Sequence, residues 1–75
     1  MDWLLTHLRA LQEAHFRTFG RENESLNKAL IAAHCGCTDH CRNVVDKLYS
    51  QYACADADNL RLAAYDILTH IPRAA

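Results

Sequence analysis

Residues 2–19, Asp-Trp-Leu-Leu-Thr-His-Leu-Arg-Ala-Leu-Gln-Glu-Ala-His-Phe-Arg-Thr-Phe, set Leu4, Leu8, Leu11 and His15 at steps of three and four. That spacing lays one stripe along a helix of 3.6 residues per turn, whereas a strand would alternate its faces every second residue. Leu5, Phe16 and Phe19 widen the stripe. Asp2 is positioned to cap the first turn, its side-chain oxygen accepting from the free amides there. Gly20 is the expected stop, because glycine enters the left-handed C′ conformation at little cost. A bent continuation through Gly20 is the competing reading.

The remaining chain repeats this logic. From Asn23 to His34, Leu26, Ala29, Leu30 and Ala33 share a face, with Asn23 or Ser25 as the cap. Cys35-Gly36-Cys37-Thr38 breaks the pattern, with Gly36 as the stop. Thr38 or Asp39 is expected to cap a third helix reaching about Ala53, with Val44, Val45, Leu48, Tyr49 and Tyr52 inward. Asp56 or Asp58 then caps a last helix that Pro72, lacking an amide hydrogen, brings to an end. No heptad run, sequence repeat or strand pattern is present. The fold class that follows is all-α: one domain over residues 1–75, a compact bundle of three to four short helices, with a second copy of the chain as a candidate to complete it.

Composition agrees. A 75-residue chain buries a modest share of its surface and needs a dense apolar core, a metal, disulfides or a partner, and its 51% hydrophobic content supplies the first. The net charge is −1, and basic residues are interleaved with acids along the chain. Nucleic-acid binders concentrate positive charge to displace phosphate counterions, so DNA or RNA binding is a weak alternative. No apolar run approaches the ~20 residues that span a bilayer, and the start lacks a secretory signal pattern. The expected location is the cytoplasm, where cysteines stay reduced.

One stretch concentrates chemistry. His34, Cys35, Cys37, His40 and Cys41 place five soft-metal donors within eight residues, where a loop feeds a helix N-terminus. Cys35, Cys37, Cys41 and His40, with His34 able to replace His40, would meet zinc's demand for four nitrogen or sulfur ligands. Against this, the spacing matches no standard finger, and adjacent residues such as His40 and Cys41 diverge. Reduced thiols packed at an interhelical corner are the simpler expectation, and oxidation to disulfides the alternative. Cys54, ~20 Å along the third helix from Cys41, is expected to be a small core residue or an isolated thiol.

Catalytic signals are missing. Neither a phosphate-binding glycine loop, an HExxH motif nor a carboxylate pair occurs, and so short a chain leaves little room for a pocket beside its core. Asp66 and His70, at i,i+4, read as support for a helix end.

The last helix points elsewhere. Leu60, Ala64, Ile67, Leu68 and Ile71 form one face, yet Leu62 and Tyr65 project from others. A surface helix ordinarily keeps its far side polar, so a partner is expected on Leu62 and Tyr65. Trp3 is a further candidate anchor, or else the lid on one end of the bundle. The expected function is a non-catalytic regulator or adaptor acting by protein–protein contact, in the size range common among bacterial and phage regulators and inhibitors, with homo-oligomerisation expected. A zinc-clipped helical module and a nucleic-acid-binding domain are the alternatives.

Overall fold

The apolar periodicity becomes four helices in the computed structural model, which describes residues 2–71: α1 (Asp2–Phe19), α2 (Glu24–His34), α3 (Thr38–Cys54) and α4 (Asp58–His70). Leu4, Leu8 and Leu11 of α1 turn inward, as the stripe predicts. They meet Leu26, Ala29 and Ala33 of α2, Val45, Leu48 and Tyr52 of α3, and Leu60, Ala64 and Ile67 of α4. Each helix packs on its sequence neighbours and α4 returns to α1, closing a ring. The radius of gyration, 11.3 Å, matches the ~11 Å of a compact domain of this length. Among the described residues, no helix is long and apolar enough to cross a membrane.

The α1–α2 corner is fastened by one buried amide. Gln12 Nε2 donates to the Asn23 carbonyl (2.8 Å) and to Asn27 Oδ1 (2.9 Å), while its Oε1 accepts from the Asn23 amide (2.8 Å). Asn23 in turn caps α2, its Oδ1 accepting from Leu26 N at 3.0 Å. Gly20 takes φ +76°, the left-handed helix stop expected of it. The Asp2 cap and the Pro72 stop involve groups outside the described residues.

The next two corners are built alike, twenty residues apart. Cys35 and Ala55 have φ −89° and −91°, Gly36 and Asp56 cross into positive φ at 79° and 55°, and Cys37 and Ala57 return to φ −85° and −88°. In both, the third loop residue donates its amide back into the preceding helix, Cys37 to Ala32 O (2.8 Å) and Ala57 to Tyr52 O (3.0 Å). This Schellman closure satisfies carbonyls the helix end would otherwise leave unpaired.

These tight corners correct the predicted caps. Cys37 and Ala57 occupy the N-cap positions, with no side-chain cap on α3 or α4. Thr38, Asp39 and Asp58 fall one or two residues inside, where the carboxylates still face the positive end of the dipole. A second correction concerns α1: Phe16 and Phe19 stay exposed, Phe19 laying only one side of its ring beside Tyr52 and Phe16 lining an open cleft with Asn27 and Leu30 of α2.

Candidate functional site

The α4 helix contacts α3 and α1 and leaves its remaining surface open. Leu62 is 55% and Tyr65 54% exposed. They lie one turn apart on the outer side of α4, and the Tyr65 ring lies 6.0 Å from that of the half-buried Tyr49 of α3. Beside them runs a cleft of about 510 Å3 between α3 and α4, in which Leu68 supplies apolar wall and Arg42 and Asp46 supply charge. The surface here thus combines exposed apolar and aromatic side chains with charged and polar ones.

Trp3 does not join this patch. Its ring stacks on His7 (centroids 4.2 Å apart) and lies 5.4 Å from His70, so it ties the start of α1 to the end of α4. It still shows 39% of its surface. His70, the residue it meets, is about 12 Å along α4 from Leu62. Trp3 thus seals an edge of the bundle while part of its surface stays accessible. The Asp66–His70 pair forms as expected, Oδ1 to Nδ1 at 3.5 Å, on the exposed last turn.

The cysteine corner is divided between core and surface. Cys41, on the inner face of α3, is fully buried and its thiol donates to Ala29 O at 3.2 Å. Burial, with Cys37 nearby, pushes that thiol above its ordinary pKa, which disfavours the thiolate a metal needs. Cys35, Cys37, His34 and His40 are exposed. Among the described residues no three His, Cys, Asp or Glu side chains gather into a group that could hold a metal ion. Cys54 is an exposed free thiol.

No protein-family model matches the chain, and neither the curated proteins nor the solved structures contain a match.

Two surfaces escape the sequence reading. Phe16 and Leu30 line a shallow cleft between α1 and α2, and Ile31 of α2 is 66% exposed. On the opposite side of α2, a groove of about 350 Å3 against α3 is lined by Lys28, His40, Asn43 and Lys47. Lys28 and Lys47 lie nineteen residues apart, and only the folded α2–α3 corner sets them face to face.

Proposed function

We propose that this chain is a small non-catalytic regulatory or adaptor protein that docks on another protein through the outer face of α4. The observation that carries this reading is the pair Leu62 and Tyr65, one turn apart and each more than half exposed, with the Tyr65 ring beside Tyr49. Exposed aromatic and aliphatic side chains grouped on a rigid helix are the usual anchors of protein–protein contacts. The dispersed Cys/His corner offers no comparable support for a zinc-clipped module.

The test is a double substitution, Leu62→Asp with Tyr65→Asp, used as bait beside the unaltered chain in affinity capture from the source cell. Both residues are exposed, so the helical circular dichroism signal and melting midpoint should stay nearly unchanged. A partner held by the native chain and lost by the variant is the expected result. Identical capture by both baits, with folding intact, would remove the α4 face from the proposal. Light scattering on the same two proteins separates a second copy from a different partner: a dimer that the variant abolishes assigns the face to self-association.

A further inference from the structure

The groove between α2 and α3 has an unusual charge balance for a chain of net charge −1. Its titratable lining residues are Lys28, His40 and Lys47, with no carboxylate among them. Ser25, Asn43 and Gln51 add neutral hydrogen-bonding groups, and the apolar side chains of Val44 and Leu48 form the floor. Elsewhere cation and anion are mixed: the α1–α2 cleft sets Arg9 beside Glu13 and Glu22, and the α3–α4 cleft sets Arg42 beside Asp46. Among the described residues neither Lys28 nor Lys47 takes part in an ion pair, although Glu24 lies one turn before Lys28. Two unneutralised ammonium groups facing one concavity produce a local positive field that an anion would relieve.

We infer that this groove binds an acidic peptide segment, its Asp or Glu side chains seated between Lys28 and Lys47. Shape supports a segment over a single ion. The α3 wall from His40 to Gln51 spans eleven residue steps, about 16 Å of helix, which is the reach of about five residues of extended chain. Chemistry supports a peptide over a nucleic acid: no Phe, Tyr, Trp or Arg lines the groove, and the single imidazole of His40 makes no platform for successive bases. The apolar floor of Val44 and Leu48 suits aliphatic side chains interspersed with the carboxylates. This site lies across α3 from Leu62 and Tyr65 and does not depend on the docking role of that face.

The experiment is a titration of the full 15N-labelled chain with an acetylated, amidated hexaglutamate peptide, followed by amide chemical shifts. The expected perturbations centre on Ser25, Lys28, Asn43, Lys47 and Gln51, and binding weakens by about tenfold or more between 50 and 500 mM salt as screening tightens. Lys28→Glu with Lys47→Glu, and independently Lys28→Ala with Lys47→Ala, should abolish the shifts without changing the helical signal. The Leu62→Asp, Tyr65→Asp variant should retain them, so the two surfaces succeed or fail separately. The inference is overturned by an absence of shifts, by shifts spread evenly over Arg9, Arg17 and Arg61 as well, or by shifts that survive both lysine double variants. It is equally overturned if hexathymidylate perturbs the same amides at lower concentration than the peptide.

Discussion

His15 and Tyr52 meet inside the ring, the imidazole Nδ1 2.9 Å from the phenol oxygen, with the Phe19 ring 4.7 Å from that of His15. Burial, helped by the Arg21 charge, lowers the His15 pKa, and burial pushes that of Tyr52 up to about 12. The two shifts act at opposite ends of the pH scale. For His15, the unfolded chain takes up its proton first, so stability is present above about pH 6.5 and drains away as pH falls through the lowered folded value. For Tyr52, the unfolded chain ionises first, so stability is present below about pH 10 and is lost as pH climbs toward 12. Urea midpoints measured from pH 4 to 11 should therefore form a plateau with both shoulders, and His15→Gln should soften the acid one. Tyr52→Phe removes the hydroxyl and leaves a buried ring nitrogen unpaired, a loss of about 1–3 kcal/mol by denaturant melting. A variant as stable as the native chain would show that the pair contributes nothing.

Among the elements, the twin corners make the sharpest forecast, because they impose one backbone path on two different residues. Gly36 holds φ +79° freely, and no atom lies within 4 Å of where a Cβ would stand. Gly36→Ala is then a purely conformational change, expected to destabilise by about 1–2 kcal/mol. Asp56 holds φ +55° with a side chain attached, so Asp56→Gly should stabilise by about 0.5–1 kcal/mol. Thermal melts of the two variants should move in opposite directions; a common direction would contradict the shared geometry. What the sequence discloses here follows the range of the interaction. The stripe Leu4, Leu8, Leu11 and the Asn23 cap are local and legible, since helix period and capping chemistry act within a few residues. The Cys37 and Ala57 caps were not legible: the Schellman closure replaces a side-chain cap, and no cap residue announces it. Phe16 and Phe19 misled for another reason, as periodicity marks a face and says nothing of how wide a strip of it the neighbouring helices cover.

For the molecule as a whole, the core is one ring-shaped cluster to which every helix contributes, and no helix has a core of its own. Leu8, fully buried within it, should cost about 2–5 kcal/mol when replaced by Ala. In a domain of this size each kcal/mol lowers the melting temperature by about 4–8 °C. Leu8→Ala should accordingly melt at least about 8 °C lower in a single transition, whereas a transition split in two would contradict the one-core description. Candidate sites were legible at this scale only where one helix carries them, as α4 carries Leu62 and Tyr65. The Lys28–Lys47 groove is a product of assembly, and in the Cys35–Cys41 stretch, conspicuous on paper, assembly draws Cys41 into the core and leaves Cys35 and Cys37 exposed. The contact between Trp3 and His70 has its own corollary for protein engineering. It marks a seam where the opening turn of α1 abuts the closing turn of α4, so a circularly permuted gene, spliced across that seam and cut at Gly36, would encode the same four helix pairs in a different order of synthesis.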